Sequence, residues 1–313
     1  MKRIVLSLAI IAALSAPILQ AKEQLKILST IKPVHSLVSA IGGDLVSVEQ
    51  IIPDNASPHH YSLKPSDLRK INKAKLIFRI DPELESFLNK SLRSVSEEKL
   101  ITLSQAEKLT LLEAKASHNH EGHDDEDHEE HEEKGDDHEN EALDYHLWLN
   151  PDNAIAMANT IRDSLINIAP ENTEQFTTNT QQLTASIQKT HQEITEQLKD
   201  VKDVPFLVMH DAWQYFTSHY QLKQLGTISA QERLKTSARA LSEARATIKG
   251  SNVKCLLAEP NLKQRTLITL TESLPINITH IDPLGREIPE SDQAYPQLLQ
   301  YTADKILSCL KQK

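Results

Sequence analysis

The sequence predicts an α/β protein of two lobes, each with a parallel sheet flanked by helices, joined by a long rigid bridging helix. Short β-branched runs alternate with helical patterns near both ends of the chain, as in parallel sheets covered by helices. A long uninterrupted helical pattern lies between them. The 313 residues, 39% of them hydrophobic, are enough for one large core or two of about 130 residues each.

The N-terminal lobe is predicted at residues 22–168. Its apolar runs are typical of strands and its periodic segments of helices, in alternation. Strands are expected at residues 25–29, 46–52, 76–80 and 100–103, and helices at 65–74 and 82–92.

The bridge is predicted at residues 169–202, after a shorter helix on which Ile155, Ala158, Ile161 and Leu165 share one face. Residues 171–199 contain no glycine or proline. A continuous helix of that length extends about 43 Å and forms a stiff spacer. Its apolar face consists of residues at spacings of three, four and seven: Phe176, Thr180, Leu183, Ile187, Ile194 and Leu198.

The C-terminal lobe is predicted at residues 203–313, where strand and helix patterns alternate again. Ligands of such sheets bind beyond the carboxyl ends of the strands, so we expect a site in the cleft between the lobes. Strands are expected at 206–209, 222–225, 253–257 and 276–281, and helices at 212–219, 237–249, 262–274 and 295–310.

The first 21 residues are typical of a signal peptide. Lys2 and Arg3 precede an apolar run over residues 4–19 that is too short, and too interrupted by Pro17, for a transmembrane anchor, the alternative interpretation. No cysteine near the junction could carry a lipid. We expect cleavage and export of a soluble protein.

Cys255 and Cys309 are the two cysteines of the chain. An oxidising compartment favours a disulfide between them, with a structural role. Two buried free thiols are the alternative.

The net charge of −10 is unevenly distributed. Residues 118–141 contain 13 acidic residues and one lysine, so the rest of the chain is close to neutral. This balance argues against nucleic-acid binding, and the seven glycines form no nucleotide-binding loop.

The same acidic segment is rich in histidine. We expect a disordered loop at residues 115–142 that binds metal weakly, because imidazole and carboxylate groups suit exchangeable zinc-like ions. A solvated acidic insertion is the alternative. The auxiliary ligands would be His118, His120, His123, His128, His131 and His138.

Other histidines occur where chain segments should meet the cleft. His59 lies in the loop after the second predicted strand, His146 follows the acidic loop, and His210 ends an apolar strand. Asp282 also ends a strand. A structural imidazole explains any one of these, but the set together predicts a metal site.

At these residues the chain resembles the periplasmic zinc-binding components of bacterial high-affinity zinc ABC transporters, over essentially the whole mature chain. The resemblance includes the His-rich insertion, the long helix and the two cysteines. Its motifs are PHHYSLKPSD at 58–67, HLWLNP at 146–151, HDAWQYF at 210–216, AEP at 258–260 and DPLG at 282–285.

This resemblance implies metal ligation by His59, His146 and His210, with Asp282 lining the same site. Manganese-binding relatives have glutamate where this chain has His210, and three imidazoles favour Zn²⁺ over Mn²⁺. Zinc is therefore the expected ion. Glu259 resembles a residue that orients a ligand histidine.

The sequence leaves more than one candidate for the fourth zinc ligand. Some relatives have glutamate directly before the first ligand, where this chain has Pro58. The fourth position is then water or Asp282. His60 stands where relatives often have a carboxylate, which makes it a possible near-site residue.

Zinc capture for import is the leading functional hypothesis. The protein would present Zn²⁺ to a membrane permease driven by a separate ATPase, since the chain has no nucleotide motif of its own. A secreted zinc hydrolase is one alternative, with Glu259 as the base, although the chain lacks an H-E-x-x-H helix. A periplasmic zinc buffer that acts through the His-rich loop is another.

Overall fold

The computed structural model describes residues 23–114, 143–229, 238–260, 262 and 264–311. The predicted signal peptide at 1–21 and the predicted loop at 115–142, with its six histidines, lie outside the described residues. Two parallel four-stranded sheets flanked by helices account for the fold, so the predicted fold class is confirmed.

The first sheet has the strand order β2-β1-β3-β4, with every neighbouring pair parallel. Three helices accompany it: α1 (Lys32–Gly42), α2 (Pro65–Lys73) and the single turn α3 (Asn89–Leu92). The strands are β1 (Leu25–Ser29), β2 (Val46–Gln50), β3 (Leu76–Arg79) and β4 (Leu100–Thr102).

Two helical segments differ from the sequence prediction. Helix α1 was not among the helices predicted, although its sequence has a proline in the first turn, where helices commonly begin. The helix expected at 82–92 is instead a short 3-10 turn, Ser86–Leu88, followed by α3. The buried side chain of Glu85 holds this chain reversal, because its carboxylate accepts hydrogen bonds from the backbone of Ile80 and Asp81.

Helices α4 (Pro151–Ile168) and α5 (Thr173–Leu198) connect the two sheets. The Asn150 side chain caps α4 by accepting from the backbone N–H of Asp152 at 2.8 Å. The 26 residues of α5 span about 39 Å. The buried residues of α5 are those of its predicted apolar face, and the helix packs against α1 and α4 as well as the last helix of the chain.

The second sheet repeats the topology of the first, with order β6-β5-β7-β8 and parallel pairing throughout. The strand expected at 222–225 lies two residues further on. The strands are β5 (Phe206–His210), β6 (Gln224–Ser229), β7 (Cys255–Ala258) and β8 (Asn277–His280), and the helices are α6 (Gln214–His219), α7 (Ala238–Gly250), α8 (Gln264–Thr271) and α9 (Ala294–Lys311).

The two sheets share a hydrophobic core. One face of the second sheet, including Phe206 and Val208 of β5, belongs to the same buried cluster as β1, β3, α1 and α5. Its other face packs against α7 and α8 in a smaller cluster. The shared core fixes the relative position of the strand ends that face the interlobe cleft.

A disulfide joins Cys255 on β7 to Cys309 on α9, with Cα atoms 5.5 Å apart. This confirms the predicted pairing. In the part of the chain that the structure describes, no helix is both long and apolar enough to span a bilayer.

Candidate metal centre

His59 reaches the cleft from the loop after β2. Its backbone N–H lies 3.3 Å from the hydroxyl of the buried Ser57. Further along the same loop, the Asp67 carboxylate accepts hydrogen bonds from the Tyr61 hydroxyl and the Lys64 backbone, both at 2.8 Å. These bonds hold the loop in place at the start of α2, so the position of His59 does not depend on its side chain alone.

His146 lies just before α4 and is held by Asp144. The Asp144 carboxylate accepts from the His146 backbone N–H at 2.9 Å and lies 2.7 Å from Nδ1 of the ring. Both side chains are buried. With Nδ1–H directed at this carboxylate, Nε2 is the nitrogen with a lone pair for a metal.

The chain after His146 binds the other lobe. The indole of the fully buried Trp148 donates to the Pro283 carbonyl at 2.8 Å, and the Tyr295 hydroxyl donates to the Trp148 carbonyl at 2.6 Å. Because Pro283 follows Asp282, this bond fixes the distance between the His146 and Asp282 loops.

His210 is the last residue of β5, which is the inner strand next to β7. Its Nδ1 lies 2.5 Å from Oε1 of Glu259, the residue directly after β7. The chain reverses its direction of strand addition between these two strands, which is where doubly wound sheets bind ligands. Glu259 therefore lies at hydrogen-bond distance from the His210 ring, the contact that the orienting role implied by the resemblance would need.

The three histidines converge in the cleft. Their ring centroids are 5.5 Å apart for His59 and His146, 5.4 Å for His59 and His210, and 5.2 Å for His146 and His210. One ring nitrogen from each lies within 4.8 Å of the others, so the three imidazoles can hold one metal ion. His146 and His210 are each only 6% exposed, and His59 is partly buried.

Asp282 directly precedes Pro283 and Leu284, which line the same cavity as the triad, but its carboxylate faces its own loop. Oδ1 accepts from the backbone N–H of Leu284 at 3.1 Å, and Oδ2 accepts from that of Arg286 at 2.7 Å. Asp282 is not among the residues whose ligand atoms lie mutually within 4.8 Å. His60 is exposed, with its ring centroid 6.3 Å from that of His59.

The cleft around the triad is narrow. The three histidines, Trp148, Glu259 and Arg286 are among the residues that line a cavity of about 10 Å³, the room that one water molecule needs. That volume suits a single small ion held by the three rings.

Two features of the site were missed by sequence reasoning. Asp144 is the orienting carboxylate of His146, and its position two residues before that histidine was the available signal. Arg286 lies 3.8 Å from Asp282 and donates to the Ala56 carbonyl of the His59 loop at 3.4 Å. The contact between residues 56 and 286 depends on the tertiary fold and leaves no pattern in the sequence.

Comparison with known proteins identifies the family. The sequence profile of zinc-uptake complex component A, periplasmic (ZnuA) matches residues 27–309, nearly the whole chain. The protein belongs to this family. The resemblance seen in the motifs is therefore confirmed, and the class is that of solute-binding proteins of ABC transporters rather than of enzymes.

Relatives and solved structures agree with this assignment. A high-affinity zinc uptake system protein ZnuA of Haemophilus ducreyi is 35% identical over 289 residues, covering 91% of this chain and 93% of its own. A crystal structure of a ZnuA protein is 26% identical with a TM-score of 0.75, over 92% of this chain and all of its own. A zinc-bound ZnuA lacking its residues 138–173 shares the fold, with a TM-score of 0.74 at 23% identity, over 93% of this chain and all of its own.

Proposed function

We propose that the protein captures Zn²⁺ in the periplasm through His59, His146 and His210 and delivers it to the permease of a zinc ABC transporter. The observation that carries this proposal is the convergence of three imidazole nitrogens within 4.8 Å of one another. The three residues come from two loops and a strand of different lobes, which suits capture and release of an ion.

Zinc fits this donor set. Imidazoles bind Zn²⁺ readily at 2.0–2.1 Å in tetrahedral sites, whereas Mn²⁺ prefers oxygen ligands. Carboxylates lie behind His146 and His210, where they raise the basicity of the ring without occupying a coordination position. Water is the proposed fourth ligand, since both Asp282 oxygens already accept backbone hydrogen bonds.

Delivery requires partners. The chain supplies the zinc site, so we propose that a membrane permease accepts the ion and that a separate ATPase drives transport. The protein would act as a monomer after removal of residues 1–21. The core shared by the lobes supports release by a small movement at the cleft rather than by a large domain rotation.

We propose that the His-rich segment is secondary to the triad. His118, His120, His123, His128, His131 and His138 would bind further zinc weakly, and the triad would hold one ion tightly. If the protein were instead a zinc buffer, the loop would be the main zinc site. Substitutions in the loop and in the triad, made separately, therefore distinguish the two functions.

Zinc titration by calorimetry, with a competing chelator, tests the proposal. His210→Ala should remove the single tight equivalent, because only two imidazoles remain. His280→Ala, a change at an exposed histidine on β8, should leave that equivalent intact. A variant with all six loop histidines changed to Asn should lose only weak equivalents. Loss of the tight equivalent in the loop variant would overturn the proposal.

A further inference from the structure

A second pair of imidazoles meets on different elements from those of the triad. His191 lies on α5 and His219 ends α6. Nε2 of His219 is 3.2 Å from Nδ1 of His191, and the ring centroids are 4.8 Å apart with the planes at 68°. The sequence assigned no role to either residue, and their encounter depends on how α6 packs beside α5.

We propose that Nδ1 of His191 and Nε2 of His219 form a second Zn²⁺ site, completed by water and distinct from the triad. A tetrahedral zinc ion with Zn–N bonds of 2.0–2.1 Å places two ligand nitrogens about 3.3 Å apart. The observed separation of 3.2 Å is close to that value. The distance between the two nitrogens therefore already fits a shared ion.

A carboxylate supports this use of His219. Asp152, in the first turn of α4, has its Oδ2 3.8 Å from Nδ1 of His219, the nitrogen opposite the one that faces His191. Metal-binding histidines commonly direct their second nitrogen at a carboxylate, which fixes the tautomer that leaves the other lone pair for the metal. Asp144 and Glu259 lie closer to His146 and His210, at 2.7 and 2.5 Å, so the Asp152 carboxylate is a looser and more exposed version of their arrangement.

The environment keeps the pair suitable for coordination. Burial lowers the pKa of His219 below its usual value, against the raising effect of Asp152 and with a smaller lowering effect from His191, so the neutral ring is favoured at pH 7. Tyr220 has its hydroxyl 3.3 Å from Nδ1 of His191. Burial raises its pKa well above the usual value for tyrosine, so it remains a phenol. It can hydrogen-bond to a metal-bound water without acting as an anionic ligand.

The position of the pair predicts a weaker site than the triad. It supplies two protein ligands instead of three, and the His219 side chain is 14% exposed, which admits water to the remaining positions. A bound ion would link α6 of the second lobe to the bridging helix α5. Because this site has fewer protein ligands, we expect it to bind zinc only after the triad is occupied.

Zinc-edge anomalous diffraction from crystals of the full exported chain, soaked in rising ZnCl₂, gives a site-specific test. We expect one peak at the triad and, at higher zinc, a second within about 2.2 Å of both nitrogens. The second peak should vanish in His191→Ala and persist in the matched control His280→Ala. Absence of the peak at zinc concentrations above those that fill the triad, or its persistence in His191→Ala, would overturn the proposal.

Imidazole ¹⁵N spectra test whether the second site also binds zinc in solution. They would reveal binding at crystal concentration only, in which case the resonances would not move. After one equivalent of zinc fills the triad, further zinc should shift the Nδ1 resonance of His191 and the Nε2 resonance of His219 together. In His191→Asn, which keeps a polar side chain on α5, the shift at His219 should be lost. Unmoved resonances for both residues would contradict a second site and leave a simple hydrogen bond between the rings.

Discussion

The two lobes have the same strand order but use the end of their third strand differently. In the first lobe, Glu85 follows β3, and its oxygens accept from the backbone N–H groups of Ile80 at 3.1 Å and Asp81 at 2.9 Å. In the second lobe, Glu259 follows β7 and binds the ring of His210. Both glutamates are buried. One carboxylate stabilises the backbone, and the other orients a proposed ligand.

This difference explains the origin of the proposed ligands. The second lobe offers His210 directly from a strand end, because its neighbouring carboxylate faces the cleft. In the first lobe, the carboxylate near the end of the third strand is that of Glu85, which binds the backbone. The proposed ligands of this lobe therefore come from loops: His59 after β2 and His146 before α4. A shared topology thus fixes where a site can form, and side chains decide which strand ends contribute to it.

The largest expected effect concerns the disulfide. Among the described residues, it cross-links the second sheet and not the first. Replacing Cys255 and Cys309 with alanine removes a cross-link spanning 54 residues and should lower the free energy of unfolding by about 4 kcal/mol. Urea unfolding measures the change in the free energy of unfolding of the whole protein. Hydrogen exchange should show the loss in β7 and α9, with β1 and β3 largely protected. Equal loss in both sheets would show that the shared core unfolds as one unit and would break the comparison.

The second prediction concerns the structural glutamate. Burial raises the pKa of Glu85 from 4.5 to about 7. The folded state therefore holds this proton more tightly than the unfolded state does. Its contribution to stability is complete below pH 4.5 and is lost as the pH rises through 7, by about 3 kcal/mol in total.

Glu85→Gln should remove most of this pH dependence. Urea unfolding of chelator-treated protein at pH 5 and pH 8 measures it, and the difference between the two pH values should be smaller in the variant than in the wild type. Glu98→Gln, at an exposed position, is the control. Parallel behaviour of wild type and Glu85→Gln would show that the buried carboxyl does not titrate as described.

The sequence predicted those features that depend on local patterns. The apolar spacing of α5 gave its buried face, and the residues at the ends of β5 and β8 pointed to the interlobe cleft. The family resemblance supplied the three histidines, and the structure brings these side chains together. Helix α1 was not among the predicted helices, although Pro33 in its first turn was an available signal.

Features that depend on long-range packing were not predictable in the same way. The pairing of His191 with His219 requires two helices to meet, and the bond from Trp148 to Pro283 joins residues 135 positions apart. The carboxylate of Asp282 has a local explanation that the sequence left open. Its acceptor atoms face backbone N–H groups two and four residues later, as in a tight turn.

The third prediction compares carboxylates directly. Glu259→Gln and Asp144→Asn should each lower zinc affinity 10- to 100-fold, because each variant loses the charge that orients a ligand ring and raises its basicity. Glu85→Gln should leave the affinity unchanged, since its carboxylate faces the backbone. Competition with a chelator measures all three. An unchanged zinc affinity in Glu259→Gln would show that this carboxylate, like that of Glu85, has no role in zinc binding.

The smallest expected effect separates two adjacent residues of one loop. His60 is exposed, whereas the ring of His59 lies within 5.5 Å of both other rings of the triad. Surface substitutions typically change free energies by less than about 0.5 kcal/mol, so His60→Ala should alter zinc affinity by about twofold at most. His59→Ala should abolish tight binding in the same chelator competition. A large loss in His60→Ala would mean that the loop turns on binding zinc and that both of its histidines approach the ion.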